Sequence, residues 1–347
     1  MKSSLNIRRL VCELVVREDQ RSIYENSRLW DCSTCSTCSI RCPRGLKPHE
    51  VIISLRSALV EEGNVPATVR DALEGTFKHG NPWAISRQKR SQWAIDLEIK
   101  DFSRGDKAEV LYFVGCAPSY DLRGQEVARA LTKTFAAAGV DIGILGNEES
   151  CCGNEIHRMG EEGLFEILRE NNLELFHKYS VGQIVTTSPH CYNVLKNEYE
   201  DNSFEVEHYT QLLARLIETG KLTFARRVEK RVTYHDPCFL GKQNGVFDAP
   251  RAVLRSIPGL ALVDFDRSRE RSLCCEGGGG RMWVEADDPS AERLAAIRVR
   301  DAVDLGVEVL ATACPFCLLN LEDAVKTSGL EEKLQVRDIA ELVVEAL

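Results

Sequence analysis

The sequence predicts an α/β protein with two repeated domains of parallel-sheet character, preceded by a small, mostly helical domain. From about residue 109 onward, short apolar runs alternate with segments of helical spacing, a pattern typical of parallel sheets crossed by helices. The order of these runs, and of the cysteines that follow them, occurs twice with a period of about 120 to 130 residues. We therefore expect three domains, at residues 1–105, 106–229 and 230–347.

The first domain is expected to be mostly helical. Apolar residues recur at helical spacing over 7–16 and 48–62. Residues 78–93 are rich in glycine, proline and aromatic residues, which favours an extended linker to the first repeat.

The two repeats have matching elements. In the first repeat the pattern predicts strands at 110–114, 141–145 and 183–187, helices at 123–138 and 155–179, and a tail at 204–208. In the second repeat it predicts strands at 231–235, 260–265 and 307–311, and a matching tail at 334–338. Ligands of open parallel sheets bind beyond the carboxyl ends of the strands. Every cysteine of both repeats falls at such an end.

Cysteine occurs 14 times, and nine of these residues form a broken and an intact copy of one pattern. The broken copy consists of Cys116, Cys151, Cys152 and Cys191. The intact copy consists of Cys238, Cys274, Cys275, Cys314 and Cys317. Between the single cysteine and the doublet lie 34 residues in the first copy and 35 in the second. Aligning Cys191 with Cys317 places Ser188 opposite Cys314. The pattern indicates a duplicated metal or iron–sulfur site, with one ligand absent from the first copy.

The two copies favour different cofactors. Five thiolates in the intact copy suit an iron–sulfur cluster, because soft sulfur ligands match it. Four thiolates in the broken copy are compatible with a tetrahedral zinc ion as well as with a cluster, and both interpretations stay open. Buried structural cysteine is the simplest alternative for either copy, but adjacency and repetition have no packing reason.

A further run contains Cys32, Cys35, Cys38 and Cys42, followed by Pro43. Its spacing is that of bacterial ferredoxins, which predicts a 4Fe-4S cluster held by these thiolates; a zinc knuckle or a disulfide knot is the alternative. In two-cluster ferredoxins the cysteine before proline serves the other cluster, and this chain has no second run. The fourth ligand is therefore open between Cys42, the simplest choice, Cys12, which otherwise fits an apolar core, and a thiol of a partner chain.

Composition excludes several classes of function. The net charge of −9 argues against a nucleic-acid partner, which normally requires a basic face. No apolar stretch approaches the length of a membrane span, and the first residues have no secretory pattern. Cysteines without an export signal are expected to be ligands in a reducing compartment. We therefore expect a cytoplasmic location, with membrane association only through a partner.

The motifs resemble the CCG domain found in the B-type and D-type polypeptides of heterodisulfide reductase and in their relatives. The relatives include iron–sulfur subunits linked to glycolate, lactate or glycerol-3-phosphate oxidation, to electron-transferring flavoprotein and to benzoyl-CoA reductase. The segments that carry the resemblance are 234–238, 274–280 and 314–317 for the intact CCG domain, 188–191 for the altered one, and 30–43 for the ferredoxin-like unit. The resemblance implies a noncubane 4Fe-4S cluster held by the five cysteines of the intact copy. It also implies partner subunits that are flavoproteins, ferredoxin-type proteins or quinone-linked membrane proteins.

The chain departs from the family in two ways. It has one ferredoxin-type run where fused members have two, and Glu276 follows the second doublet where the family has glycine. Beside the ligands, His190 and His235 are candidates for proton relays or for buried histidines held by hydrogen bonds. Residues 277–280 are all glycine, which favours close approach of the backbone to a cluster over a phosphate cradle.

The leading functional hypothesis is an electron relay. Electrons would arrive at the ferredoxin-type cluster and pass to the cluster of the intact copy, within a larger redox complex, because the chain shows no flavin or nicotinamide fingerprint. One alternative is a catalytic subunit of the heterodisulfide reductase type, which reduces a disulfide at the noncubane cluster. The other is a zinc-binding scaffold without redox activity.

Overall fold

A computed structural model describes residues 29–284 and 292–347. Two parallel β-sheets organise this part of the chain. The first sheet has the order β1-β3-β2-β4-β5 and contains Lys100–Asp101 (β1), Val110–Phe113 (β2), Ile142–Ile144 (β3), Gln183–Thr186 (β4) and Glu205–His208 (β5). The second has the order β7-β6-β8-β9 and contains Arg231–Tyr234 (β6), Ala261–Leu262 (β7), Val309–Thr312 (β8) and Gln335–Asp338 (β9).

The α-helices precede and cover these strands. Before the first sheet lie Thr37–Ile40 (α1), Pro48–Glu61 (α2) and Ala67–His79 (α3). The first repeat contains Cys116–Tyr120 (α4), Leu122–Ala137 (α5), Asn154–Arg158 (α6), Glu162–Lys178 (α7), Pro189–Asn197 (α8) and Tyr209–Glu218 (α9). The second contains Asp248–Ser256 (α10), Leu294–Asp304 (α11), Pro315–Thr327 (α12) and Ile339–Ala346 (α13).

The strand orders confirm the predicted α/β class with parallel sheets. In order along the chain, β6 to β9 correspond to β2 to β5, and both sets have the same neighbours. Their residue pairing is also equivalent, since Thr186 pairs with His208 and Thr312 with Asp338. The additional strand β1 pairs with β3 and lies before the boundary expected at residue 105. The domain boundaries stay predictions.

The two repeats join through reciprocal helix contacts. Helix α5 of the first repeat packs against α13 of the second, and α9 packs against α10. Because α5 corresponds to α10 and α9 to α13, each repeat contributes the same two helices. Leu131, Leu213, Leu254 and Val343 are buried in the one apolar core that results. Burial of this shared surface stabilises the pair of repeats as a unit.

The long helix predicted over 155–179 is wrong, because the structure contains two helices there, α6 and α7. Gly160 lies between them with φ +89. A Cβ atom at this glycine would lie 2.4 Å from the backbone nitrogen of Ser57. The left-handed glycine therefore ends α6 and lets α2 approach closely.

The segment expected to be an extended linker, 78–93, is packed instead. The Asn81 side chain donates to the Ile85 carbonyl at 2.7 Å and accepts from the Trp83 backbone at 3.2 Å. Further along, Arg90 and Trp93 are buried at 2% exposure each. The glycine, proline and aromatic content thus builds a compact turn, since asparagine amides replace backbone partners in such turns.

Within the described residues, the region before the first sheet contains the three helices α1, α2 and α3. Helix α2 matches the helix predicted over 48–62, whereas α3 was not predicted. The helix predicted over 7–16, with Cys12, lies outside the described residues. A separate ferredoxin-like domain therefore stays a prediction.

Candidate metal centres

The five cysteines of the intact repeat are buried beyond the carboxyl ends of its strands. Cys238 follows β6, and the doublet follows β7. Cys314 occupies the N-cap of α12, and Cys317 lies in the first turn of that helix. All thirteen cysteines within the described ranges are free thiols.

The sulfur atoms of this repeat form one linked set. The Sγ atoms of Cys275 and Cys317 lie 3.2 Å apart. Side-chain hydrogen bonds also connect Cys238 with Cys274, Cys274 with Cys275, and Cys314 with Cys317. Grouped thiols that form no disulfide are the donor set of a thiolate-ligated centre. The residues therefore fit an iron–sulfur cluster.

Two of these thiols are already acidic. Hydrogen bonds from Cys274 and Cys317 lower the pKa of Cys275 to about 5. Burial raises the pKa of Cys314, but hydrogen bonds from Cys317 and His190 outweigh it and lower that pKa to about 5. Both shifts favour the thiolate, the form that binds metal.

His190 belongs to the first repeat but reaches the centre of the second. Its ring forms a hydrogen bond with Cys314, and its Nδ1 lies 2.7 Å from Glu155 Oε1. Glu155 Oε2 in turn accepts from the Gly280 backbone at 2.8 Å. A Cβ atom at Gly278 would lie 2.8 Å from His190 Cε1, so only glycine lets the ring approach. Burial lowers the pKa of His190, but Glu155 and Cys314 raise it to about 10.

His235 lies beside the same centre. It is buried at 1% exposure and follows β6 directly. Its ring nitrogen and the sulfurs of Cys275 and Cys317 all lie within 4.8 Å of one another. Burial, with Arg298 as the next cause, lowers the pKa of His235 to about 3, so the imidazole is neutral.

The first repeat has the same local geometry with four thiols. Ser188 caps α8 as Cys314 caps α12, and proline follows in both helices. The Ser188 hydroxyl accepts from the His190 backbone at 3.2 Å. Ser188 and Cys314 are therefore structurally equivalent, as the sequence alignment predicted. The serine hydroxyl caps the helix N-terminus, whereas the cysteine offers a sulfur atom at the same place.

Side-chain hydrogen bonds link Cys116 to Cys151, Cys151 to Cys152, and Cys152 to Cys191. The four sulfurs of the first repeat are thus as continuous as those of the second. Gly115, with φ +82, lies close to them, since a Cβ atom there would be 3.1 Å from Cys191 Sγ. The set fits either a zinc ion or a cubane cluster.

A buried cation distinguishes the first site. Arg90 donates to Cys116 Sγ at 3.6 and 3.7 Å and pairs with Glu149 at 2.6 Å. Glu149 also accepts from the backbone of Val114 and Gly115 at 3.0 and 2.9 Å. The carboxylate therefore holds both the arginine and the turn that precedes Cys116. Sequence analysis missed this pair, which is 59 residues apart and has no local signal.

Glu276, the second departure from the family, has a left-handed backbone and a side chain with a defined contact. Glu276 has φ +68, and the equivalent Gly153 of the first repeat has φ +83. Glycine adopts this left-handed conformation without strain, whereas glutamate does so at a cost. The Glu276 carboxylate accepts from the Leu294 backbone at 3.0 Å, so its side chain holds the start of α11.

The ferredoxin-type run lies on the intact repeat. Ser33 Oγ is 3.1 Å from Cys274 Sγ, and the Cys35 thiol forms a hydrogen bond with the same cysteine. Lys242 Nζ donates to Thr37 Oγ1 at 2.7 Å and fixes the start of α1. Contacts with one thiol of the intact set thus bring the two predicted clusters together.

The Cys35 and Cys38 thiols affect the pKa of Cys32, whereas the pKa of Cys42 responds mainly to backbone groups. Burial raises the pKa of Cys32 to about 11, and the Cys35 and Cys38 thiols contribute in the same direction. Backbone N–H groups of Arg44 and Leu46 lower the pKa of Cys42. The fourth ligand stays a prediction, and Cys12 lies outside the described residues.

A buried arginine joins the run to both repeats. Arg56 has 0% exposure and donates to the carbonyls of Cys32 at 2.6 Å, Arg158 at 2.8 Å and Gly279 at 2.7 Å. Burial lowers the pKa of this guanidinium, and carbonyl acceptors replace its lost water. The signal for this role that the sequence offered was an arginine on the apolar face of α2, four residues after Ile52.

An aromatic triad lines the cavity at the first site. Trp83, Trp283 and Phe316 have ring centroids 6.0 to 6.4 Å apart. They line one cavity together with the four cysteines of the first repeat, Ser188 and His190. The first site is therefore enclosed by residues of both repeats.

The sequence matches the family described as CCG, Cysteine-rich domain, over residues 110–196 and 232–322. It is 38% identical to the probable iron–sulfur-binding oxidoreductase FadF of Bacillus subtilis, over 94% of this chain and 47% of that protein. It is 35% identical to the EtfAB:quinone oxidoreductase of Syntrophomonas wolfei, over 95% of this chain and 48% of that protein. It is also 35% identical to one polypeptide of the dihydromethanophenazine:CoB–CoM heterodisulfide reductase of Methanosarcina barkeri, over 91% of this chain and 77% of that polypeptide.

The chain therefore belongs to the CCG-domain iron–sulfur oxidoreductases, which confirms the family inferred from its motifs. It spans about half the length of the first two relatives. Among solved structures, an aspartate racemase homologue from Pyrococcus horikoshii aligns over 68% of this chain and 96% of that one. The identity is 14% and the TM-score is 0.30, values too low to support a structural comparison. Within residues 29–284 and 292–347, no helix is both long and apolar enough to cross a bilayer.

Proposed function

We propose that the chain is an electron-relay unit of a larger redox complex. Electrons arrive at a 4Fe-4S cluster on the ferredoxin-type run, the donor cluster, and pass to a noncubane 4Fe-4S cluster in the intact CCG repeat, the acceptor cluster. The observation that carries this proposal is the contact of Ser33 and Cys35 with Cys274. Clusters that share this contact need no mobile carrier between them.

Residues of the chain hold the two centres in place. Cys32, Cys35 and Cys38, with a fourth thiolate, bind the donor cluster. The acceptor cluster takes its thiolates from Cys238, Cys274, Cys275, Cys314 and Cys317. These clusters supply one-electron chemistry. Arg56 fixes the carbonyls of Cys32 and Gly279, and therefore the separation of the two centres.

Burial of the acceptor site favours relay over catalysis. Its five cysteines are exposed by 7% or less, which leaves little room for a disulfide substrate. The alternative, disulfide reduction at this site, draws support from the relative named as part of a heterodisulfide reductase. A zinc-binding scaffold without redox activity does not suit a member of this family.

The first repeat has a supporting role in this proposal. Cys116, Cys151, Cys152 and Cys191 bind zinc or a cubane cluster, and four thiolates leave no open position for substrate on a tetrahedral ion. The partners are redox subunits of the flavoprotein, ferredoxin or quinone-linked kind, as the name of one relative suggests. Through such a partner the chain would associate with a membrane from the cytoplasmic side.

The test follows the electron from one centre to the other. Protein is purified anaerobically, its iron and sulfide are measured, and reduction by dithionite is followed by freeze-quench EPR spectroscopy. The variant Cys38→Ser removes a ligand of the donor cluster without changing a contact of Cys274. We expect the acceptor cluster to keep its iron and to be reduced at least tenfold more slowly.

The matched control is Cys116→Ser, which changes the first repeat and leaves the proposed path intact. An unchanged rate of reduction in Cys38→Ser would contradict the relay. Stoichiometric cleavage of a disulfide by the reduced, isolated protein would establish the catalytic alternative in its place. Protein that contains zinc and no iron would exclude both.

A further inference from the structure

Lys242 is a buried lysine at the junction between the ferredoxin-type run and the intact repeat. It is 9% exposed and lies four residues after Cys238. The Gln243 backbone nitrogen donates to the Cys238 carbonyl at 3.0 Å, which fixes the turn that carries the lysine. The Gln243 side chain donates to the Thr34 carbonyl at 3.1 Å. This turn therefore receives the ferredoxin-type run on the intact repeat.

The charge of Lys242 has no carboxylate partner among the described residues. Its Nζ atom donates to Thr37 Oγ1 at 2.7 Å and to the Ser272 carbonyl at 2.6 Å, and both acceptors are neutral oxygens. Lysine is rarely buried without a paired charge, because removal of an ammonium group from water is costly. An anionic group bound nearby would supply the missing partner.

The hydrogen bonds continue from Lys242 to a cysteine of the run. Thr37 Oγ1 lies 3.3 Å from Cys35 Sγ. An ammonium group can only donate, so the Thr37 oxygen accepts from Lys242 and its own hydrogen is left for the sulfur. The hydrogen bond with Cys274 and burial raise the pKa of Cys35, and both Lys242 and Thr37 act against this rise. Lys242 therefore acts on the sulfur that contacts the intact set.

The first repeat provides an internal comparison. Tyr120 occupies the position of Lys242, four residues after the single cysteine of its repeat. The Arg90 guanidinium lies over the Tyr120 ring, 5.6 Å from the centroid, and is paired with Glu149 at 2.6 Å. The buried cation of the first site thus has a carboxylate partner. Within the described residues, the buried lysine without one belongs to the repeat that contacts the ferredoxin-type run.

We propose that Lys242 and Thr37 raise the reduction potential of the donor cluster through the sulfur of Cys35. Each electron accepted by that cluster adds one negative charge, which the buried ammonium group and the Thr37 hydroxyl stabilise. Net charge and hydrogen bonds to the sulfurs are what tune iron–sulfur clusters. Lys242 is a positioning residue here, because it orients the Thr37 hydroxyl and touches no sulfur itself. The inference rests on the proposed function only in requiring a 4Fe-4S cluster on the ferredoxin-type run.

A redox titration followed by EPR spectroscopy tests this pair. Protein is purified anaerobically, and the signal that Cys38→Ser lacks is assigned to the donor cluster. At a fixed ambient potential, the ratio of reduced to oxidised donor cluster should fall about tenfold in Lys242→Met, the order expected for loss of a nearby buried charge. Thr37→Val should lower the same ratio about threefold, as expected for loss of one hydrogen bond. The potential of the acceptor cluster should shift less, because the chain of hydrogen bonds ends at Cys35.

Two controls separate this role from a structural one. Thr37→Ser keeps the hydroxyl and should restore the ratio of the unaltered protein, whereas a packing defect at α1 would not be repaired by a smaller side chain. Lys230→Met removes a lysine that precedes β6, at the opposite end of that strand from Cys238, and should leave the ratio unchanged. Equal ratios in Thr37→Ser and Thr37→Val, or equal falls in the two lysine variants, would overturn the inference.

Thr37→Val decides the matter even when Lys242→Met does not fold, because it leaves the bond from Lys242 to Ser272 in place. An unchanged ratio in Thr37→Val, with a full complement of iron, would overturn the inference and leave the proposed relay standing. Absence of a cluster from the ferredoxin-type run would overturn both proposals. The two failures are therefore distinguishable.

Discussion

The two CCG repeats share a backbone but differ in the atoms they offer to a metal. Their sheets have the same strand order, and their cysteines follow equivalent strands. At one position beside the site, Ser188 of the first repeat stands where the second has Cys314. The comparison teaches that strand ends and helix caps fix where a ligand can lie, and side chains alone fix what binds there.

The electrostatic surroundings of the two sites also differ. The first site has its own cation, Arg90, in contact with Cys116. At the second site a side chain from the other repeat, His190, lies against Cys314 and is paired with Glu155. A side chain of the first repeat therefore takes part in the surroundings of the second site.

The largest expected effect separates the two sites by their doublets. Cys275→Ala should abolish the EPR signal of the intact centre and lower the iron content, because Cys275 links the doublet to Cys317. Cys152→Ala, the equivalent change in the first repeat, should leave that signal in place. Iron analysis and EPR spectroscopy of both variants check this. Full iron content in Cys275→Ala would contradict the assignment of the ligands.

Ser188→Cys would give the first repeat the fifth thiol of the second. The new thiol occupies the N-cap of α8, as Cys314 occupies that of α12. We expect the iron and sulfide content to rise, or any zinc to be displaced, because five soft ligands then face the first site. Ser188→Ala controls for loss of the helix cap, which costs about 1 kcal/mol. Metal content identical in both variants would show that the fifth thiol does not decide the cofactor.

Arg90→Met should destabilise the first repeat. It leaves Glu149 buried at 2% exposure without its partner, and breaking a buried pair costs about 3–5 kcal/mol. Anaerobic denaturant unfolding measures the loss. The double variant Arg90→Met with Glu149→Gln should recover part of it, since no unpaired charge then remains. Equal stability of the single and double variants would refute this account of the pair.

The smallest effect is a pair of opposite pH slopes at equivalent helix caps, His208 of α9 and Asp338 of α13. Burial raises the pKa of Asp338 to about 7, so its contribution to stability is present at acid pH and is lost as the pH rises through 7. Burial lowers the pKa of His208 to about 3, so its contribution is present above about 6.5 and is lost as the pH falls towards 3.

The pH slopes can be measured as differences in melting temperature between each variant and the unaltered protein. The stability of Asp338→Asn relative to the unaltered protein should rise from pH 5 to pH 7, by at most about 1.4 kcal/mol per pH unit. The relative stability of His208→Gln should instead rise as the pH falls from 6.5 to 4. Asn and Gln keep an acceptor for Tyr209 or a neighbouring amide. Parallel slopes in the two variants would show that the caps do not titrate as their burial requires.

Much of each site was predictable from the sequence because its determinants are local. The apolar runs located β2, β4, β6 and β8, and cysteine spacing placed the ligands at their carboxyl ends. The Cys-Pro and Ser-Pro starts of α12 and α8 identified Ser188 as the substituted position. Local patterns failed at Gly160, where a single glycine divides a helix to admit α2.

The sequence by itself determined the duplicated α/β repeat, the unequal cysteine sets and the family. Only the tertiary structure decided that the ferredoxin-type run contacts the intact repeat, and that His190 crosses from one repeat to the other. Ser33 and Cys274 are 241 residues apart, and Arg56 reaches Gly279 across 223. Such contacts leave no periodicity in the chain, because they form only when the two sheets and their shared core bring distant segments together.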